Sequence, residues 1–343
     1  MRLIVSVVSV ALLGLSGACT TAPEEFHSHR LVSMGTWVEV AWEGPAKLDE
    51  QYPHHAVEAE LRVFERQFYP WADGELAALN AAIARGEGFN LSVELERLLV
   101  MGMQFHQHSD GNFDPGVGAL VAAWGFGADP EQQTGQIDGL RPAASIRWLN
   151  IDDHVATSSN PGLILDLGGY AKGYAVDRSL ELLTRLGVRN AMVNAGGDLR
   201  VIGARQGAPW RVGIQHPREP GTIVGSVWLL PGEGAFTSGD YERAKTGNGV
   251  RTHHLIDPHN GAPASHTQSV TVIANNGMLA DASATAIFVA GPEDWQTVAD
   301  SMGINKVLRI TGAGDLQLTA AMAKRFETVA DLQTVIMPRA IEY

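Results

Sequence analysis

Seven positions of the chain, Asp166-Leu-Gly-Gly-Tyr-Ala-Lys172, combine an acidic residue, two glycines and a lysine. The apolar run Leu163–Leu165 before them predicts a short buried strand, and apolar residues at helical spacing after them predict a helix ending near Gly187. The free N–H groups of a helix N-terminus, together with a lysine, suit a bound phosphate. The alternative is an ordinary turn between a strand and a helix, with a solvated Lys172.

A second segment, Ala280–Gly291, is built of small residues and then becomes apolar. If it opens a helix, Asp281 and Thr285 are four residues apart and share one face. A carboxylate, a hydroxyl and an uncovered carbonyl are the hard oxygen ligands that Mg²⁺ prefers. The alternative is that Asp281 caps the N-terminus of a buried helix.

Further candidate residues lie in three polar segments, 109–120, 194–199 and 237–261. The first is a glycine-rich loop with Phe113 and Asp114, and the second is Asn-Ala-Gly-Gly-Asp-Leu after an apolar run. The third runs from Thr-Ser-Gly-Asp-Tyr to His-Leu-Ile-Asp-Pro-His-Asn-Gly. None of the twelve histidines has the spacing of a zinc site. The sequence also lacks a Walker A loop and a Gly-x-Gly-x-x-Gly fingerprint, which argues against a nucleotide site of the Rossmann type.

Taken in order, these segments resemble the ApbE family of FAD:protein FMN transferases, from about Met34-Gly35-Thr36 to about Gly291. The resemblance implies a single compact α+β domain related to the T-fold, with mixed or antiparallel sheets and flanking helices. It also implies residues that contact FAD: Met34, Trp71, Asn112, Phe113, Asp114, Asp166, Lys172, Ser238 and Ile256. Mg²⁺ would be held by Asp281, Thr285 and the backbones of Gly169 and Ala284.

The resemblance implies transfer of FMN from FAD to a threonine or serine hydroxyl of an exported acceptor flavoprotein, with release of AMP. The acceptor would carry an Asp-x-x-Thr-like motif. A histidine near a transferring phosphoryl group can act as a general acid or base. Two candidates for the base stay open, His254 and Asp257, and the alternative role of His254 is to hydrogen-bond the loop that carries Asp257. Two alternatives are a pyrophosphatase that hydrolyses FAD at the same site and a non-catalytic FAD-binding lipoprotein.

The formal net charge of −13 argues against nucleic acid and anionic membrane surfaces as partners. An acidic protein that binds a pyrophosphate must neutralise it locally, and a divalent cation together with a lysine would do so. The charge therefore favours the metal hypothesis.

Residues 1–18 have the pattern of a signal peptide: Arg2, an apolar run from Leu3 to Leu15, and then Ser-Gly-Ala. Cys19, the only cysteine, follows and cannot form an internal disulfide. We predict a lipidated Cys19 as the only membrane attachment, a polar tether over 19–29 and a location on the periplasmic side of the cell envelope. Cleavage by an ordinary signal peptidase is the alternative.

The catalytic segments must be positioned by elements that mix helical and strand patterns irregularly, which predicts an α+β fold. A strand that contains the Met34-Gly35-Thr36 turn is expected over Leu31–Trp42, and helices are expected over His54–Gln67 and Leu91–His108. Strands with Asp152-Asp153 at a turn are expected over Ala143–Asn160. No linker rich in proline, glycine or serine divides the chain after the tether. We therefore predict one domain over residues 30–343.

Overall fold

In the computed structural model, the described residues are 25–44, 53–131, 134–247, 250–329 and 333–337. The predicted signal peptide and Cys19 lie outside them. The strands are β1 (Glu25–Ser33), β2 (Thr36–Gly44), β3 (Phe89–Asn90), β4 (Leu149–Asp152), β5 (Val155–Ser158), β6 (Asn190–Ala195), β7 (Asp198–Ile202), β8 (Trp210–Gln215), β9 (Ile223–Leu229), β10 (Gly234–Gly239), β11 (Ala244–Gly247), β12 (Val250–His253), β13 (Thr267–Ala274), β14 (Val307–Thr311), β15 (Leu316–Thr319), β16 (Phe326–Thr328) and β17 (Thr334–Met337). The α-helices are α1 (Pro53–Phe68), α2 (Glu75–Ala84), α3 (Val93–His108), α4 (Gly118–Ala123), α5 (Ile137–Leu140), α6 (Ala171–Arg185), α7 (Gly277–Ser301) and α8 (Ala320–Ala323).

A nine-stranded sheet with the order β1-β2-β6-β7-β10-β13-β14-β15-β17 forms the centre of the fold. Its strands pair antiparallel except for β15 and β17, which are parallel. The predicted α+β class with mixed and antiparallel sheets is therefore confirmed.

The two faces of this sheet are covered differently. On one face, α1, α6 and α7 bury the main apolar core, which includes Val38, Val193 and Phe236. On the other face, a small sheet of order β16-β9-β8 packs over the middle strands and encloses a second core with Leu199 and Val227. The small sheet leaves the β1 and β2 end uncovered, and Trp37 of β2 is 67% exposed there.

Two local predictions were wrong. Residues 25–29 belong to β1 rather than to a tether, because their backbone pairs with β2 from Glu25↔Gly44 to His29↔Val40. The run Leu163–Leu165 is not a strand of any sheet and forms only one isolated bridge, between Ile164 and Val117. The Ile164 carbonyl accepts from the Gly118 N–H at 3.0 Å, and the Asn80 amide bonds the Leu165 N–H and C=O at 2.9 Å each.

Among the described helices, none is long and apolar enough to cross a membrane. The longest, α7, is kinked where Gly291 adopts a φ of 73° directly before Pro292. The kink separates the first part of α7, in which small and apolar residues accompany Asp281 and Thr285, from a second part that carries three acidic residues.

Candidate active site

The N-termini of α6 and α7 meet through two glycines. A Cβ on Gly173 would lie 2.2 Å from the carbonyl oxygen of Gly277, and one on Gly277 would lie 2.6 Å from the carbonyl oxygen of Gly173. Any side chain at either position would therefore force the helices apart. The glycine contact places the first turns of both helices side by side.

Each helix caps the other. Asp281 of α7 accepts a hydrogen bond from the Gly173 N–H of α6 at 2.9 Å. Asp177 of α6 in turn accepts from the Gly277 N–H of α7 at 2.8 Å. The N-terminus of α7 is capped by Asn276, which accepts from the Leu279 N–H. Asp281 is thus a capping residue, but of the neighbouring helix.

Three of the four predicted metal ligands line one cavity of ≈ 80 Å³: Gly169, Asp281 and Thr285. The Thr285 hydroxyl lies 3.0 Å from the hydroxyl of Ser238, which also lines this cavity. Ala284 does not line it, since this residue is fully buried within α7. The structure therefore brings together a carboxylate, a hydroxyl and a loop backbone, and it leaves out Ala284.

Charged side chains of both signs surround this cavity. Lys172 forms an ion pair with the buried Asp198, whose other oxygen accepts from the Thr237 N–H at 3.0 Å. Burial opposes the charged form of Lys172, but Asp198, Glu242 and Asp281 raise its pKa above the ordinary value. Burial, followed by the charge of Asp198, raises the pKa of Glu242 to about 8. Lysine 172 is therefore a cation held in place, not a solvated side chain.

The donor set fits a divalent cation. Burial and the charge of Asp198 raise the pKa of Asp281 above its ordinary value, so a cation beside Asp281 would offset an unfavourable buried charge. Within the described ranges, no group of three or more His, Cys, Asp or Glu side chains could hold a metal. A site with one carboxylate, a hydroxyl and a carbonyl suits the hard, incompletely dehydrated Mg²⁺ rather than zinc.

A larger cavity of ≈ 430 Å³ adjoins the first and shares Asp166, Gly168, Lys172, Glu242, Arg243 and His254 with it. Its other walls are mostly apolar and aromatic: Met34, Phe64, Phe68, Tyr69, Pro70 and Trp71. Its size and aromatic lining suit a planar ligand ring. The predicted roles of Met34 and Trp71 agree with this placement.

Met34 has an unusual backbone. It forms the two-residue turn between β1 and β2 with Gly35, and both have positive φ, 52° and 70°. This is the turn type that fits the twist of a hairpin, but it favours glycine or asparagine over methionine at the first position. Strained non-glycine residues cluster at functional sites, and Met34 fits that pattern because it lines the ≈ 430 Å³ cavity.

Of the contacts predicted at residues 112–114, the structure places two at the smaller cavity and one away from it. Phe113 lies in the smaller cavity and would contact a Cβ on Gly169 at 2.9 Å, so the pair packs closely. Asp114 lines the cavity too, but its Oδ1 already accepts from the N–H groups of Gly116 and Ile146 at 2.7 Å each. Asn112 bonds the Ser109 carbonyl and lines neither cavity. The structure therefore gives Asn112 and Asp114 roles in holding the loop.

Of the remaining predicted residues, Asp166 and Ile256 line a cavity and Asp257 does not. Asp166 lines both cavities, and its Oδ1 accepts from the Gly168 N–H at 2.8 Å. Ile256 is buried and lines the smaller cavity. Asp257 does not line either, because its carboxylate accepts from the backbone of His259 and the side chain of Asn260 within its own turn.

His254 lies between the two cavities and lines both of them. Burial and the nearby cations Arg243 and Lys172 lower the pKa of His254 to about 3, so its imidazole is neutral. In the described part of the chain, its Nδ1 has no hydrogen-bond partner. Of the two proposed bases, only His254 is placed to act.

Sequence reasoning missed Asp198, Thr237, Glu242 and Arg243 as members of the site. Asp198 and Thr237 stand in segments that the motifs had singled out, so the signal was present but unassigned. Glu242 and Arg243 lie between the two motifs of the third segment and look like ordinary surface residues. Only their placement beside Lys172 identifies them.

Comparison with known proteins adds the family. The ApbE family profile matches residues 34–308. A FAD:protein FMN transferase of Rhodobacter capsulatus is 40% identical over 331 residues, which cover 94% of this chain and 63% of the relative. One of Vibrio cholerae serotype O1 is 31% identical over 317 residues, which cover 90% of this chain and 94% of the relative. The chain thus spans less than two thirds of the first relative and nearly all of the second.

Solved structures of ApbE proteins have a similar fold. The ApbE protein of Thermotoga maritima superposes with a TM-score of 0.80 at 29% identity, covering 88% of this chain and 99% of that one. A flavin transferase ApbE from Vibrio cholerae gives 0.78 at 28% identity, covering 88% of this chain and 100% of that one. These similarities confirm the fold that the sequence motifs implied.

Proposed function

Because the chain belongs to the ApbE family, we propose that it transfers FMN from FAD to a hydroxyl of an acceptor protein and releases AMP. One observation carries the proposal. Lys172 lines both the ≈ 430 Å³ cavity, which suits a ring, and the ≈ 80 Å³ cavity, which contains the oxygen donors of Asp281 and Thr285. A pyrophosphate that extends from one cavity to the other would therefore meet this lysine. The names of the relatives support the same reaction.

In this proposal the isoalloxazine ring occupies the ≈ 430 Å³ cavity between Met34 and Trp71. Lys172 then contacts the pyrophosphate, with its charge maintained by Asp198. Gly169, Asp281 and Thr285 would hold Mg²⁺, which supplies Lewis-acid charge to the phosphoryl oxygens when bound. Holding the acceptor oxygen in line with the phosphorus provides the rest of the rate enhancement.

His254 is assigned to accept the proton of the attacking hydroxyl. The hydroxyl oxygen forms a bond to the FMN phosphorus as the bond to the AMP oxygen breaks, and the proton passes to the imidazole. A group whose pKa is about 3 is a weak base. A bound pyrophosphate opposes the cations Arg243 and Lys172, so we expect the His254 pKa to rise when FAD binds.

We also propose that the acceptor hydroxyl belongs to a threonine or serine in an Asp-x-x-Thr-like motif of an exported flavoprotein. Export of this chain would follow from the signal pattern at residues 1–18, with acylation at Cys19. These assignments rest on the sequence, since the residues concerned lie outside the described ranges.

The deciding experiment incubates the protein with FAD and Mg²⁺, with and without an acceptor domain that contains the motif. Covalent flavin fluorescence on the acceptor, with AMP release only in its presence, is the expected result. AMP release without acceptor would identify a pyrophosphatase. Tight FAD binding without AMP release would identify a carrier and contradict the proposed transfer.

A further inference from the structure

A third cavity, of ≈ 840 Å³, reaches the candidate site from the opposite face of the nine-stranded sheet. It lies where the small β8–β9 sheet stops and β2 and β6 become uncovered. Lys172, Glu242 and Arg243 line this cavity as well as the other two. A group inside it can therefore approach Lys172 without displacing a ring between Met34 and Trp71.

The lining of this cavity is positively charged within an acidic chain. Four basic side chains line it against two acidic ones: Lys172, Arg205, Arg211 and Arg243 against Glu39 and Glu242. The whole chain has a net charge of −13. Local charge of the opposite sign favours an occupant with acidic side chains.

A buried donor without a partner also lines the cavity. Trp210 is 3% exposed, and in the described structure its indole N–H has no hydrogen-bond partner. Leaving such a donor unpaired is unfavourable. An occupant that offers a carbonyl or carboxylate oxygen would remove this cost.

Beside the cavity, two large apolar side chains face solvent. Trp37 and Val32 are directly opposite each other on β2 and β1, and they are 67% and 66% exposed. The exposed Gly196–Gly197 turn lies beside Trp37, since the Gly196 N–H bonds the Trp37 carbonyl at 2.9 Å. An exposed tryptophan beside a glycine turn is typical of a protein-binding surface.

We propose that the acceptor protein docks on this face, with Trp37 and Val32 at the rim and an acidic segment in the ≈ 840 Å³ cavity. This inference rests on the proposed transfer reaction. Displacement at phosphorus requires the attacking and leaving oxygens on opposite sides. With FAD in the two cavities on the helix side, the hydroxyl of the acceptor enters from the sheet side and meets the phosphorus at Lys172.

The test measures acceptor binding separately from chemistry. The probe is an apo-acceptor domain with an Asp-x-x-Thr sequence, prepared with threonine and with valine at the modified position. The valine form cannot react, so its affinity for the FAD-loaded enzyme is measured by biolayer interferometry. The variants are Trp37→Ala, Arg205→Glu and Trp210→Phe. The last replaces the indole by a smaller aromatic ring without an N–H donor.

Trp37→Ala and Arg205→Glu are expected to weaken binding of the valine form at least about tenfold, and Trp210→Phe several-fold. Affinity for FAD stays unchanged in all three. The matched controls are Ile336→Ala, at the opposite edge of the sheet and 59% exposed, and Arg85→Glu, in an exposed ion pair. Neither control should change acceptor binding.

Acceptor binding by Trp37→Ala and Arg205→Glu with wild-type affinity would overturn the docking proposal. So would a concentration-dependent dimer that Trp37→Ala abolishes, because a second copy of this chain would then cover the face. Binding of the valine form without flavinylation of the threonine form would contradict the proposed reaction and leave the docking surface supported.

Discussion

Lys172 is where the three cavities meet, and its partner Asp198 is 1% exposed. A lysine paired with a buried carboxylate is held in position, so a ligand phosphate meets a fixed charge at low entropic cost. At a solvated turn, the same lysine would contribute little to anion binding. The ion pair therefore supports the phosphate hypothesis for the Asp166–Lys172 segment.

Lys172→Met is expected to weaken FAD binding at least about tenfold, or ~1.4 kcal/mol, and riboflavin binding by less than about twofold. Riboflavin has the same ring but no phosphate, so it controls for damage to the ring cavity. Fluorescence quenching measures both affinities. Because the substitution leaves Asp198 buried without its cation, Lys172→Met/Asp198→Asn is the control for stability. Equal losses for the two ligands would indicate a packing role.

Asp281 has two functions that different substitutions can separate. Asp281→Asn keeps an oxygen that accepts from the Gly173 N–H but removes the charge, so we expect a folded protein whose turnover no longer responds to Mg²⁺. Asp177→Asn makes the same change in the reciprocal cap and loses the ion pair with Arg200. It should lower stability by about 1 kcal/mol and retain Mg²⁺-dependent turnover. Thermal unfolding and AMP release measure the two effects, and wild-type Mg²⁺ dependence in Asp281→Asn would refute the ligand assignment.

At the scale of elements, the glycine contact between α6 and α7 sets the geometry of the site. In Gly173→Ala the added methyl group would lie 2.2 Å from the Gly277 carbonyl oxygen, so the helices must separate. The expected cost is about 1–3 kcal/mol in unfolding free energy, with loss of transfer activity. Gly139→Ala is the matched control, because no atom lies within 4 Å of the added Cβ. Wild-type stability and activity in Gly173→Ala would contradict this account.

A contact between β1 and α1, made by three histidines, makes stability depend on pH. The rings of His29 and His54 stack at 3.9 Å, and His55 lies 4.2 Å from His54. Burial, and then His29 and His55, lower the pKa of His54. The folded protein therefore binds fewer protons than the unfolded chain between that lowered pKa and about 6.5.

The contribution of this contact to the free energy of unfolding is fully present above about pH 6.5 and is lost as the pH falls below it. We expect the unfolding temperature to drop between pH 8 and pH 5.5, and to drop less in His54→Gln. Comparing the variant with the wild type cancels the titration of the other histidines. An identical pH dependence in the two proteins would show that His54 does not titrate differently on folding.

Much of the local structure could be predicted from sequence, because it depends on local chemistry. Apolar spacing predicted α3, whose N-cap Ser92 accepts from the Leu95 N–H. The turn at Met34 and the α+β class were also predicted correctly, although the structure has two paired strands around that turn where one strand was expected. The Leu163–Leu165 strand was wrong because this run pairs with residues 115–118 and with the side chain of Asn80, 85 residues away, rather than with a strand of a sheet. An apolar run does not reveal what pairs with it.

The site could be predicted only in part, because several of its contacts also join residues that are distant in the sequence. Motif residues identified Lys172, Asp281 and Thr285, but the partner of Lys172 is 26 residues distant and the residue that caps α6 comes from α7. These long-range contacts depend on strand order and helix crossing, which no spacing in the sequence encodes. Glu242 and Arg243 could be assigned only after the fold placed them beside the lysine.

For the whole molecule, net charge and the N-terminus bear on where the protein acts. A chain of net charge −13 is repelled by anionic lipid surfaces, so its charge does not favour membrane binding, and a covalent anchor would supply the attachment. The proposed anchor is Cys19, and β1 begins at Glu25. Six residue steps span at most ~20 Å, so a lipidated chain would hold β1 close to the bilayer.

We predict that the mature protein begins at an acylated Cys19 and fractionates with membranes, and that Cys19→Ser leaves it unacylated and outside the membrane fraction. One acyl chain binds membranes weakly, and several chains on one cysteine bind stably, so the wild type should resist extraction by salt. Mass spectrometry of the N-terminal peptide gives the modification directly, and fractionation gives its consequence. FAD binding by Cys19→Ser serves as the control for folding, because Cys19 precedes every residue assigned to the site. An unmodified Cys19, or a mature chain that still begins at Met1, would contradict the anchor and leave the flavin site unaffected.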